Sequence, residues 1–266
     1  MQAQTTQTTQ TTQTKYSPQT VTGMHFWTPT IFSIKTTRPP GLQFTAGQFV
    51  RLGLPGDDGE LIWRAYSFVN SPAEDTLEFY VITIPEGQLT PRLSELKVGD
   101  ELFVDHTAYG FLTLDRFTGG DDLWLLATGT GLAPFVSILR DPEVWQRFKR
   151  IFVVHSVRWE RDLAYYEELR HFSHPDVDPA LVDKLHFAVS VTREQTPGAL
   201  YGRITSLLAS GELEKAVGAT LDPATSRIMV CGNPDMIKEL RAWFTGKGYA
   251  VSRTATPGPL VLEKQW

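Results

Sequence analysis

The sequence predicts two domains in tandem: an antiparallel β-barrel, then an α/β nucleotide-binding unit built on a parallel sheet. Three observations lead there. From residue 21 to about 119, short β-rich runs alternate with turn residues at spacings typical of an all-β barrel or sandwich. After Gly119-Gly120 the texture changes to apolar strands separated by stretches of helical spacing. The first of those strands runs into Gly129-Thr130-Gly131-Leu132-Ala133-Pro134, a glycine-rich turn that opens a helix. The expected division is a disordered Gln/Thr-rich tail over 1–19, a barrel over 20–119 and an α/β domain over 120–266.

Composition narrows the function. With 266 residues, 41% apolar and 21% charged, the chain has the make-up of an ordinary globular protein. A net charge of −5 argues against nucleic acid as a partner, because phosphate backbones need a basic face. The single cysteine, Cys231, excludes an intrachain disulfide and a cluster held by four thiolates of this chain. The six histidines do not form a metal-ligand pattern, so no metal is expected. No run of 18 apolar residues exists and the N-terminus lacks a signal-peptide pattern, so no membrane partner is expected and the cytoplasm is the default compartment.

In the barrel region, residues 48–54 alternate, 55–59 make a turn and 62–64 return, which reads as a hairpin. The returning strand continues as Arg64-Ala65-Tyr66-Ser67-Phe68-Val69-Asn70. Alternation puts Arg64 and Tyr66 on one face and Ala65 and Ser67 on the other. A guanidinium suits a phosphate and a phenol ring suits a flat polycycle, so the pair fits a ligand that is anionic at one end and planar at the other. An ordinary half-buried strand with a snorkelling arginine is the plain alternative. A strand over 77–84 and a turn over 85–87 follow, and then Thr90-Pro91 reads as a helix start, with Thr90 able to cap it and offer a second anion site.

In the second region, residues 123–128, 150–155, 184–189 and 227–231 read as buried parallel strands. Helical spacing over 133–148, 162–172, 204–213 and 234–247 completes a βαβ series. Gly129 and Gly131 would let the backbone turn and approach a pyrophosphate, although Pro134 stands where a third glycine is usual and a plain strand-to-helix turn would also use glycines. An NAD site presents an acidic residue near the end of the second strand; here Arg158 stands there, Arg193 ends the next strand and Arg203 follows. Three arginines along one sheet edge suit a 2′-phosphate, or else are solvated loop charges. The last apolar strand ends Cys231-Gly232-Asn233-Pro234-Asp235 at the same edge. The closing stretch over 260–266 is apolar enough to be docked rather than free.

Taken in order, Arg64-Ala65-Tyr66-Ser67, the Gly87/Thr90 helix start, Gly129-Thr130-Gly131-Leu132-Ala133-Pro134 and Cys231-Gly232-Asn233-Pro234-Asp235-Met236 resemble the ferredoxin–NADP reductase family, closest to the bacterial ferredoxin/flavodoxin type. The likeness spans residues 20 to 266. It implies a barrel that binds FAD and an α/β domain that binds NADP(H). By position, Arg64 would hold the FAD pyrophosphate, Tyr66 would stack on the isoalloxazine, and Ser67, following Ala65, would hydrogen-bond near flavin N5. Val81, Thr83, Leu89 and Thr90 would line the ribityl and phosphate path. Thr130 would sit beside the flavin and the nicotinamide, and Gly129 and Gly131 would approach the NADP pyrophosphate. Arg158, Arg193 and Arg203 would surround the 2′-phosphate, with Gly232, Asn233, Pro234 and Asp235 along the nicotinamide half. Ser67, Cys231 and Glu263 would be the residues at the reacting atoms, although a buried structural Cys231 and a surface salt bridge of Glu263 with Lys264 read the same from sequence, and Trp266 would stack on the adenine or the flavin.

The activity so implied is hydride transfer between NADPH and flavin N5, coupled to one-electron exchange with ferredoxin or flavodoxin by a monomer. A stand-alone NADPH flavin or quinone reductase, and a flavin redox sensor that does not turn over, use the same two domains.

Overall fold

The computed structural model describes residues 14–264. Its first half is a six-stranded antiparallel sheet: β1 (Tyr16–Thr28), β2 (Ile31–Thr37), β3 (Phe49–Pro55), β4 (Leu61–Ser67), β5 (Thr76–Ile82) and β6 (Glu101–Asp105), in the order β4-β3-β6-β1-β2-β5. Phe68, just past the end of β4, forms an antiparallel bridge with Phe79 of β5, which brings the two edges together and curls the sheet into a barrel. Val50, Leu52, Phe32, Ile34, Phe79 and Val81 come from alternate strand positions and fill its interior. The short helix α1 (Thr90–Glu95) adds Leu93, and the preceding Leu89 joins it in that core.

The tail is shorter than its composition suggests. Strand β1 begins at Tyr16 and pairs with β6 from Tyr16↔Asp105 to Thr20↔Glu101, so residues 16–19 are sheet rather than disordered. Tyr16 packs its ring 5.0 Å from Trp63 and 5.7 Å from Phe103. Gln19 accepts from Thr37 Oγ1 at 2.8 Å, so the polar residues that look like tail are satisfied across strands.

The second half is a six-stranded sheet, all parallel: β7 (Asp122–Thr128), β8 (Arg150–Val157), β9 (Leu185–Val191), β10 (Leu200–Tyr201), β11 (Ser226–Gly232) and β12 (Leu260–Lys264), ordered β10-β9-β8-β7-β11-β12. The helices are α2 (Ala133–Arg140), α3 (Pro142–Arg147), α4 (Tyr166–Arg170), α5 (Ile204–Ser210), α6 (Glu212–Val217) and α7 (Pro234–Gly246). Successive residues of β7 serve opposite layers: Leu123, Leu125 and Ala127 pack with α2, α3 and α4, while Trp124 and Leu126 pack with α5, α6 and α7. A strand buried on both faces must be apolar throughout, which is why β7 shows no alternation.

Three of the expected helices are broken, each for a local reason. The stretch 133–148 splits because Pro142 cannot continue the hydrogen-bond ladder and holds Asp141 extended; the Asp141 carboxylate then caps α3 through Glu143 N–H at 2.9 Å. The stretch 204–213 splits at Gly211, which ends α5 with φ +77°. In 162–172 the helix starts only at Tyr166, because Tyr165 is left-handed at φ +57°. The closing segment is docked as expected, and it docks as β12, hydrogen-bonded in parallel to β11 with Leu260 and Val261 buried.

Candidate active site

The parallel sheet changes direction at β7, which has β8 on one side and β11 on the other. The loops leaving β7 and β11 therefore diverge and open a crevice at their carboxyl ends, the place where such sheets bind ligands. The two loops are nevertheless pinned to each other at their base. Asn233 N–H donates to Thr128 Oγ1 at 2.9 Å. A β-carbon on Gly131 would stand 2.4 Å from the Cys231 carbonyl oxygen, and one on Gly232, at φ +137°, would stand 2.1 Å from Thr128 Oγ1. Both glycines are therefore needed for close approach of backbone to backbone. Gly129 is held from behind: its carbonyl lies 3.0 Å from Nε2 of His155, which is fully buried. Burial pushes the His155 pKa down to about 4, so the ring is neutral and donates from Nε2.

Above this base lies a cleft of about 950 Å³, walled by the crevice on one side and by Thr28, Thr30, Tyr80 and Ile82 of the barrel on the other. Of the predicted nucleotide residues, Gly129, Thr130, Arg158, Arg193, Arg203, Asn233 and Asp235 line it. Pro234 does not; it occupies the first turn of α7, whose N-terminus is capped by the Asn233 side chain accepting from Asp235 N–H at 2.9 Å and Met236 N–H at 3.2 Å. Lining residues that escaped the sequence reading include Asp162, Glu239, Trp159 and Arg161, whose guanidinium lies 5.6 Å from the Trp159 ring. Trp159 and Arg161 lie within three residues of Arg158, so the strand end that presents Arg158 presents them too. Among the described residues none of Arg158, Arg161, Arg193 and Arg203 is in an ion pair. Glu194, a candidate neutraliser, is bound to the backbone N–H of Glu160 at 2.5 Å. Asp162 of the same cleft feels the charges of Arg158 and Arg161 without pairing with them, and four arginines left without an ion pair on one wall suit a multiply charged anion.

On the barrel side, Leu52↔Arg64 and Val50↔Tyr66 pair across β3 and β4, so Arg64 and Tyr66 share a face as alternation requires. Arg64 is exposed, donates only to the Trp63 carbonyl at 2.7 Å, and has no carboxylate partner among the described residues. Tyr66 is half-buried against the barrel core, and desolvation pushes its phenol pKa up, so it stays neutral. Thr83 Oγ1 is buried with no hydrogen-bond partner among the described residues, a hydroxyl left over for a ligand. A flat ring over Tyr66 with an anionic tail toward Arg64 fits these groups.

Three expectations on this side are corrected. Thr90 does not cap α1: it is the first helical residue, and its hydroxyl accepts from Ile84 N–H at 2.9 Å, closing the preceding loop. Val81 and Leu89 are buried in the barrel core at 0% and 2% exposure, so they shape the wall by packing rather than by touching solvent.

The three residues expected at the reacting atoms are linked through contacts rather than grouped in one hydrogen-bonded triad. Ser67 ends β4 opposite Phe49, and Phe49 bridges to Tyr109. At the adjoining Gly110 a β-carbon would lie 3.0 Å from the Phe49 ring and 3.2 Å from Glu263 Oε2. Glu263 is the register partner of Cys231 in β12 and β11. Desolvation pushes the Glu263 carboxyl up to about 7. Cys231 is corrected: at 0% exposure beneath the loop, with burial and then Glu263 pushing its thiol pKa well up, it is a neutral packing residue and not a surface of the cleft. Trp266 lies outside the described residues.

Comparison with known proteins agrees with this geometry. Residues 27–107 match the oxidoreductase FAD-binding domain family and residues 125–242 match the oxidoreductase NAD-binding domain family. The chain is 44% identical over 219 residues to a flavodoxin/ferredoxin–NADP reductase of Shigella flexneri, covering 82% of this chain and 86% of the relative. It is 41% identical over 253 residues to ferredoxin–NADP reductase A of Sorangium cellulosum, covering 94% and 90%. The crystal structure of a ferredoxin NADP+ reductase from Neisseria gonorrhoeae with bound FAD and NADP superposes with a TM-score of 0.89 at 35% identity, covering 96% of this chain and 100% of that one. With two domain models matching in order and relatives above 40% identity over most of its length, this chain belongs to the ferredoxin/flavodoxin–NADP reductase family.

Proposed function

We infer that this chain is an FAD-dependent oxidoreductase that passes electrons between NADPH and a one-electron carrier protein, ferredoxin or flavodoxin. The observation that carries this reading is the cleft, with four unpaired arginines on its nucleotide wall and the barrel facing it. Bound FAD supplies the chemistry, accepting a hydride from nicotinamide and releasing electrons singly. The protein's own residues supply alignment and electrostatics.

Arg64 neutralises the FAD pyrophosphate, Tyr66 lies against the isoalloxazine, and Ser67 offers its hydroxyl at the reacting edge. Thr83 serves the ribityl side through its free hydroxyl, and Thr90 fixes the loop beside it through its bonds to the Ile84 backbone. Arg158, Arg193 and Arg203, with Arg161 beside them, grip the 2′-phosphate that distinguishes NADPH from NADH. Gly129, Thr130, Asn233 and Asp235 border the rest of that coenzyme. Glu263 is protonated below its pKa of about 7, and so keeps a neutral, proton-donating carboxyl near the site.

The deciding experiment measures NADPH oxidation with ferredoxin, flavodoxin and free flavin offered in parallel. Faster turnover with a protein carrier is the expected result. Turnover with free flavin alone would make the chain a stand-alone flavin reductase, and flavin bound without turnover would make it a sensor. The reading takes the protein to be a cytoplasmic monomer, tested by sedimentation and cell fractionation.

A further inference from the structure

The two domains meet through a buried polar network that the chemistry above does not use. Helix α2 begins at the glycine loop, and every one of its residues is buried. Midway along it, Ser137 Oγ donates to the Asn70 carbonyl at 2.7 Å. At its last residue, Arg140 Nη1 donates to Glu78 Oε2 at 2.8 Å and to the Val69 carbonyl at 3.4 Å. Its remaining donors form a fork on Glu168, Nε to Oε1 at 2.9 Å and Nη2 to Oε2 at 3.0 Å. The other Glu78 oxygen accepts from Tyr165 O–H at 3.0 Å, and Tyr165 is 2.6 Å from Ser33 Oγ of β2. Tyr165 is the non-glycine residue with positive φ among the described residues, a strained conformation kept where the surroundings over-determine it.

The barrel atoms held here are not arbitrary. Val69 and Asn70 continue the segment that carries Arg64, Tyr66 and Ser67, and they are fixed in turn to β5: Val69 N–H donates to the Glu78 carbonyl at 2.9 Å and Glu78 N–H to Asn70 Oδ1 at 2.9 Å. One rigid helix therefore joins the glycine loop at its start to the flavin-side strand at its middle and end. Arginine at this place makes four hydrogen bonds to two carboxylates and a carbonyl, which restricts the joint to one geometry rather than many.

We propose that Arg140 and Ser137, with Glu78 and Tyr165 as their anchors, are positioning residues that register the nicotinamide-binding loop against the flavin-binding strand. The proposal rests on the functional reading above. A displacement of about 1 Å between reacting atoms costs on the order of a hundredfold in rate. Loosening the joint therefore slows hydride transfer without touching either ligand.

The test uses the FAD-loaded protein and the double variant Arg140→Met/Glu78→Met, which removes the two most buried charges together; Glu168, which loses its fork, is 30% exposed and stays in contact with solvent. Stopped-flow flavin reduction by NADPH and by its 4-deuterated form gives the limiting rate and its isotope effect, and titration with NADP+ gives the coenzyme Kd. We expect the limiting rate to fall about tenfold or more, with a changed long-wavelength charge-transfer absorbance, while Kd stays within about twofold. Arg140→Lys, which keeps the charge but not the fork, should recover part of the rate. A folded double variant with an unchanged limiting rate overturns the proposal, as does a loss seen only in Kd. If the double variant does not fold, Ser137→Ala/Tyr165→Phe is judged by the same two criteria. A wild-type protein that NADPH does not reduce overturns the functional reading, and the proposal with it.

Discussion

Replacing Glu263 with Gln should change how stability and flavin reduction depend on pH, in a direction the structure determines. The carboxyl sits between the Cys231 strand and the Gly110 turn and accepts no hydrogen bond among the described residues. Desolvation raises it from 4.5 to about 7. The native state thus keeps a proton that the unfolded chain releases. Its stabilising contribution is complete below pH 4.5 and is lost as pH rises to 7. At about 1.4 kcal/mol per pH unit, wild type loses roughly 2–3 kcal/mol between pH 5 and pH 8.5 through this one group. The glutamine variant does not titrate, so its stability relative to wild type should rise by that amount over the same interval. Urea unfolding of both FAD-loaded proteins at the two pH values measures it, and contributions from all other groups cancel in the comparison. The limiting rate of flavin reduction by NADPH should show an inflection near pH 7 in wild type that Glu263→Gln removes. Parallel pH profiles for the two proteins would refute the argument, showing that the carboxyl is solvated or is not near the reacting atoms.

The purified protein should carry about one FAD per chain, seen by chromatography of heat-released cofactor, and Arg64→Ala should weaken its retention; FMN as the sole flavin would contradict the role given to Arg64. NADPH should be preferred over NADH, and Arg158→Ala should reduce the ratio of kcat/KM values about tenfold, a smaller loss than for a buried charge because the side chain is exposed. Gly232→Ala should disrupt coenzyme binding, because its β-carbon would meet Thr128 Oγ1 at 2.1 Å at a φ of +137°; a rise in the NADP+ Kd is the readout. Reduction of an acidic carrier should slow as salt rises. Arg92 adds little to that attraction, because its guanidinium is already bonded to Asp57 at 2.5 Å.

What the sequence determined by itself were the features that come from local periodicity and from residues with only one use. Alternation announced the barrel, continuous apolar runs announced doubly buried β7 and β8, and paired glycines at two strand ends announced loops whose backbones touch. The arginines at the strand ends were legible because parallel connectivity forces all those ends to one edge. Helix interruptions at Pro142 and Gly211 were present as residues but were overridden by apolar spacing. The Gln/Thr composition concealed that β1 starts at Tyr16, because cross-strand partners for Gln19 and Tyr16 are far away in the chain. Only the tertiary structure could decide burial. It took Cys231, Val81 and Leu89 away from solvent, and it put an unpartnered carboxyl at Glu263 where its pKa rises. It also brought Glu78, Arg140 and Tyr165 together from three separate segments. Sequence spacing carries no signal for such an encounter, since the contact arises only when one domain is laid against the other.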